Sequence, residues 1–151
     1  MDTLTLPYEV RQKSRFKAAL DSGDDIGVIL PRGTVLKDGD LLGNATNDYV
    51  RVIAAMESVS IVETKDAALF ARVCYHLGNR HVPLQIAPQA TQLWARYLHD
   101  HVLDDMVVSL GATIRYDQTP FEPEVGAYHQ HGHGQSHSHV PSHNHPVHEH
   151  D

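Results

Sequence analysis

The 151-residue sequence predicts an α+β protein in three parts: a small all-β domain at residues 1–58, a domain of alternating strands and helices at 59–128, and a disordered histidine-rich tail at 129–151. Three observations lead there. Between Val28 and Ala55, short apolar runs are divided by Pro, Gly and Asp clusters with little helical periodicity, the pattern of strands joined by tight turns. Between Val59 and Tyr116, two segments carry apolar residues three and four apart, each preceded by an aspartate and followed by a glycine. After Tyr128 the composition changes abruptly to HQHGHGQSHSHVPSHNHPVHEHD, in which only Val140 and Val147 are aliphatic and none is aromatic. Such a segment cannot bury enough apolar surface to offset the entropy of ordering.

In chain order, Val28-Ile29-Leu30 is an apolar run stopped by Pro31-Arg32-Gly33, Val35-Leu36 follows, and Lys37-Asp38-Gly39-Asp40 forms a turn before Leu41-Leu42. Tyr49 to Ala55 reads as a further strand, and Val59 to Val62 as the first strand of the next domain. Asp66 is placed to cap a helix bearing Leu69, Phe70, Val73 and Leu77 on one face, with Gly78 to end it. Val82 to Ile86 and Leu93 to Leu98 read as strands. Asp100 caps a second helix with Val102, Leu103, Met106, Val107 and Leu110 on one face; Gly111 closes it, and Ala112 to Tyr116 is the last strand. The order β-α-β-β-α-β is that of a ferredoxin-like unit.

Acidic residues outnumber basic ones 19 to 12, a net charge of −7, which argues against nucleic-acid binding because that requires clustered positive charge against phosphates. Met1 to Val10 has neither a basic nor an apolar targeting region, and no apolar run approaches the roughly 20 residues needed to span a bilayer, so a cytoplasmic protein with no membrane contact is expected. The single cysteine, Cys74, excludes an intramolecular disulfide and a multi-thiolate metal site within one chain.

Histidine is the outlier, with 13 copies, of which nine lie in the tail. Residues two apart in an extended chain point to the same side, so His129, His131 and His133, His137 and His139, His143 and His145, and His148 and His150 form four potential chelating sets. Imidazole suits nickel, copper and zinc, and most of these side chains are neutral slightly above pH 7. A purification tag is the bland reading, but these histidines are interspersed with Gly, Ser, Pro and Gln rather than run together.

Outside the tail, His81 falls between a helix end and a strand. By itself it is a single loop histidine, although a twofold dimer would bring two copies together. His99-Asp100-His101 has two readings: a chelating pair, if the backbone is still extended there, or a solvated helix start with Asp100 as its cap. His76 and Cys74 read as structural, and Asp104-Asp105 as a solvated helix face. No nucleophile elbow, phosphate loop or His-Glu-x-x-His is present, so an enzyme is not expected.

Tyr75-His76-Leu77-Gly78-Asn79-Arg80-His81-Val82-Pro83-Leu84-Gln85 resembles the central motif of the UreE urease accessory family. His99 to Met106, Pro120 to Tyr128, Arg11 to Arg15, and Leu30 to Gly33 with Asp38-Gly39-Asp40 are also similar to family segments, so the resemblance spans nearly the whole chain. It implies an N-terminal β domain like a peptide-binding module of heat-shock co-chaperones, and a ferredoxin-like metal domain through which a homodimer forms. It implies that His81 of each protomer binds a shared Ni²⁺, with His99 and His101 as a secondary pair; by imidazole chemistry, Zn²⁺ or Cu²⁺ can occupy the same histidines. The implied role is delivery of Ni²⁺ for urease metallocentre assembly through the accessory GTPase UreG and the urease activation complex. The alternative is a histidine-rich store of divalent metal without specific delivery.

Overall fold

A computed structural model describes residues 1–89 and 91–126, so every expectation about the tail, its order and its nine histidines included, lies outside the described residues. The chain folds as β1 (Asp2–Leu6), α1 (Tyr8–Arg11), β2 (Arg15–Ala19), β3 (Asp25–Ile29), β4 (Leu41–Gly43), β5 (Tyr49–Ala54), β6 (Met56–Glu63), α2 (Ala67–Asn79), β7 (Gln85–Ile86), β8 (Trp94–Leu98), α3 (His101–Ser109) and β9 (Ile114–Pro120). This is the expected α+β architecture, with a β-rich N-terminal part followed by βαββαβ.

The N-terminal part contains a three-stranded sheet in the order β1-β5-β4 and a two-stranded β2-β3 hairpin. β1 runs parallel to β5, with Leu4 opposite Val52 and Leu6 opposite Ala54. Period-two alternation turns Leu4 and Leu6 inward and Thr5 outward. Leu4, Leu6, Val28, Leu36 and Val52 form the core here. Neither β1, α1 nor β2 was anticipated from the sequence, although the Thr-Leu alternation of β1 carries a strand signal; Val35-Leu36 forms no strand, and Leu36 enters the core from a loop.

In the second part the sheet order β7-β8-β6-β9, antiparallel throughout, is that of the ferredoxin-like unit. Val62, Val73, Leu77, Leu84, Ala95, Tyr97, Val107 and Ala112 pack between the sheet and its two helices. The expected strand at 82–86 shortens to Gln85–Ile86, because Pro83 has no N–H to give a ladder. Val102 was expected on the apolar face of α3, but it is 65% exposed: it sits in the first turn, rotated away from the Leu103–Val107 stripe.

The other face of the sheet is closed by Phe121, which packs on Val59 and Ile61 and meets Tyr8 edge-to-face at 5.6 Å. Arg11, 1% exposed, fastens this junction. Its guanidinium donates to the carbonyls of Leu6 (3.1 Å), Leu36 (3.2 Å) and Phe121, and lies 4.0 Å from Glu57. A planar donor fork suits three carbonyls from three separate segments. Among the described residues, no helix is long and apolar enough to cross a membrane.

Candidate metal centre

The site begins at the end of α2. Asp66 caps the helix start, its carboxylate accepting from the N–H groups of Ala68 (3.0 Å) and Leu69 (3.1 Å). At the far end the His81 N–H donates to the Gly78 carbonyl at 3.0 Å and the Val82 N–H to the Leu77 carbonyl at 3.2 Å, with Leu77 and Val82 packed in the same core. This crossed pair, with its apolar contact, is a Schellman motif, which requires a left-handed residue just past the helix. That residue is His81, at φ 59°. Gly78, expected as the terminator, instead lies inside the helix. The Leu77–Val82 contact fixes the register three residues later.

The end of α3 repeats the motif with an ordinary occupant. The Gly111 N–H donates to Val108 at 3.0 Å, the Ala112 N–H to Val107 at 3.4 Å, and Gly111 has φ 101°. A side chain in the left-handed region crowds the following carbonyl, at a cost of about 1–2 kcal/mol. Histidine at the position glycine fills in the other helix is therefore a strained choice, and such strain clusters at functional sites. The His81 side chain is exposed on the rim of a cleft shared with Pro83, Leu98, His99 and Asp100.

The second group lies where β8 meets α3. Asp100 is extended (φ −149°, ψ 126°) while its carboxylate accepts from Val102 N–H at 2.9 Å and Leu103 N–H at 3.0 Å. The two readings of this segment are therefore compatible: Asp100 caps the helix, and its extended backbone still turns His99 and His101 toward one side. Their ring centroids are 6.4 Å apart. Two imidazoles on one tetrahedral ion, with metal–nitrogen bonds of about 2.1 Å, bring their centroids to about 5.3 Å, so these rings must close by about 1 Å to share one ion. Both histidines line a cleft with Ser58, Val59, Tyr116, Asp117 and Gln118, and His99 also lines the His81 cleft.

Beneath His99 lies a residue that the sequence reading placed in solvent. Asp104, expected on a solvated face, is 5% exposed, whereas Asp105 is open to solvent. The hydroxyl of Tyr97 donates to its Oδ1 at 2.6 Å and that of Tyr116 to its Oδ2 at 3.1 Å; His99 Nδ1 lies 3.1 Å from the same Oδ2. Burial pushes Asp104 up, but the hydrogen bonds from Tyr97, Ser60 and Tyr116, with the charge of His99, outweigh it and hold its pKa below the ordinary carboxylate value. Burial, followed by the Asp104 carboxylate, pushes the Tyr97 phenol well up, so it remains a donor. The Tyr116 ring stands edge-on to His99, centroids 5.0 Å apart. The available signal was a carboxylate on the apolar stripe of a helix, three residues before Val107, and a serine at position 60 inside an apolar strand.

His76 is half-buried with its ring edge-on to Tyr75 at 5.2 Å, and Cys74 is half-buried against the core, where burial pushes its thiol up. Among the described residues, no three His, Cys, Asp or Glu side chains are placed to hold one ion. An ion held at His81 or at the His99–His101 pair would therefore need further ligands.

Comparison with known proteins places this chain in a family. The profile described as UreE urease accessory protein, N-terminal domain, matches residues 1–55, and that described as UreE urease accessory protein, C-terminal domain, matches residues 57–150. Relatives named urease accessory protein UreE include that of Alkalilimnicola ehrlichii, 59% identical over 83% of this chain and 75% of the relative. The protein of that name from Proteus mirabilis is 55% identical over 83% of this chain and 76% of its own, and that of Escherichia coli O157:H7 is 50% identical over 88% and 87%.

Proposed function

Since this chain belongs to the UreE urease accessory protein family, we propose that it is a nickel metallochaperone for urease maturation, in which His81 from each of two protomers grips one Ni²⁺. The observation that carries this reading is the placement of His81: an exposed imidazole held at the left-handed position of a rigid helix end. A helix terminus fixed by Leu77 and Val82 sets the backbone from which the ring projects, and a twofold axis beside it would supply the second ring from an identical surface. Two imidazoles leave open positions on the ion, so a recipient's ligands can add before the carrier's leave. The His99–His101 pair and the tail histidines, His129 to His150, supply further donors, with His99 bordering the His81 cleft.

In this reading residues 1–58 contact partners and residues 59–128 bind metal and dimerise, since His81, His99 and His101 all fall in the second stretch. The recipients are the accessory GTPase UreG and the urease activation complex, in the cytoplasm. The protein performs no catalysis of its own. Imidazoles alone do not select nickel, because affinity rises from Ni²⁺ to Cu²⁺; Zn²⁺ and Cu²⁺ bind the same histidines, and metal supply and partner identity decide the cargo.

Nine tail histidines favour a second reading, a store of divalent metal. Urease activation at limiting nickel separates the two. Delivery predicts that His81→Ala loses most activation while truncation after Tyr128 loses little. Storage predicts the reverse.

A further inference from the structure

We propose that Asp104 is a positioning residue for metal capture: its carboxylate holds His99 in the Nδ1–H tautomer, so that Nε2 is the nitrogen offered to the cleft shared with His101. The inference rests on the reading of His99 and His101 as metal donors.

The geometry decides between two arrangements. Two groups lie 3.1 Å from His99 Nδ1: Oδ2 of Asp104 and Oγ of Ser60. If Nδ1 were unprotonated, the serine hydroxyl could donate to it, but its lone pair would then face a buried carboxylate oxygen at hydrogen-bond distance. If Nδ1 carries the proton, it donates to Asp104, and no lone pair is set against the carboxylate. The second arrangement is the one without that repulsion, and no buried side-chain N or O among the described residues lacks a partner. Donation from Tyr97 and Tyr116 fixes the carboxylate in turn, and those tyrosines stand on β8 and β9 while Asp104 rides on α3. The edge-on Tyr116 ring limits rotation of the imidazole about its axis. A histidine whose second nitrogen is tied to a carboxylate is the usual arrangement behind a metal-binding imidazole, since it sets the tautomer, fixes the ring and raises ligand basicity. An isolated neutral histidine has no such constraint on which nitrogen carries its proton.

The test is nitrogen NMR on the full-length chain labelled at histidine, which reads each ring separately and so distinguishes His99 from the tail. In the metal-free protein the neutral His99 should show a protonated Nδ1 and a bare Nε2. Addition of Zn²⁺, a diamagnetic probe, should then shift the Nε2 resonance. In Asp104→Asn the same shift should need about 10- to 100-fold more Zn²⁺. A protonated Nε2 in the native metal-free chain overturns the inference without any variant. So does an Asp104→Asn chain whose His99 takes up Zn²⁺ as the native one does. If the tautomer is as expected but no Zn²⁺ reaches His99 even when the tail is saturated, the reading of His99 as a donor fails instead, and the inference falls with it.

Discussion

His81 and Gly111 occupy the same position in the same helix-ending motif, one after α2 and the other after α3, and both have positive φ. The motif demands a left-handed backbone, and glycine meets it without strain while histidine does not. His81→Gly should therefore raise the stability of the metal-free protein by about 1 kcal/mol while weakening metal binding. Urea denaturation and Ni²⁺ titration of the same sample check both halves. A variant destabilised by the change would show that the ring itself supports the fold.

Arg11 offers a contrasting case, since its charge serves the fold. Its donors satisfy carbonyls of Leu6, Leu36 and Phe121, all at a buried junction. Arg11→Ala leaves the Leu36 and Phe121 carbonyls without their donor, while Leu6 keeps the Ala55 N–H, and it opens a void under Phe121, with an expected loss of about 3–5 kcal/mol. Arg11→Lys should recover little of it, because one ammonium cannot span three separated acceptors. The shift in denaturation midpoint measures both.

Asp104 makes stability depend on pH. Its carboxyl is held below the ordinary value of 3.8 in the folded protein, so the ionised form stabilises the fold above that value. The contribution is lost as pH falls through the lower, folded-state value. The native chain should be more stable than Asp104→Asn at neutral pH, with the gap closing in the acid range below about pH 4. Denaturation midpoints across pH would show it; a gap independent of pH would mean that the aspartate contributes shape rather than charge.

What the sequence disclosed was what local chemistry decides. Asp66 and Asp100 cap their helices as their positions demanded, since an Asx cap acts within three residues. The apolar period of Leu69, Phe70, Val73 and Leu77 gave the packed face of α2. Gly78 misled because glycine is tolerated inside a helix, and the terminator was set by a contact between Leu77 and Val82. The burial of Arg11 and Asp104 was hidden for a different reason. Each is satisfied by groups on other elements, Leu6, Leu36 and Phe121 for the first and Tyr97, Tyr116 and His99 for the second, several of them far along the chain, and no local pattern records that assembly.

Metal affinity should fall between about pH 7 and 5, where imidazoles take up protons in competition with the ion. Equilibrium dialysis against Ni²⁺ across this range checks it. Retention undiminished at pH 5 would assign the binding to carboxylates, of which the chain has 19 side chains.

The paired-imidazole carrier is tested most directly by calorimetric Ni²⁺ titration of the chain ending at Tyr128, with and without His81→Ala, alongside native mass measurement of the assembly. The expected result is a dimer that keeps one tight Ni²⁺ without the tail and loses it when His81 is replaced, while remaining a dimer. A monomer, a tail-less dimer with no tight site, or a tight site that survives His81→Ala would contradict it.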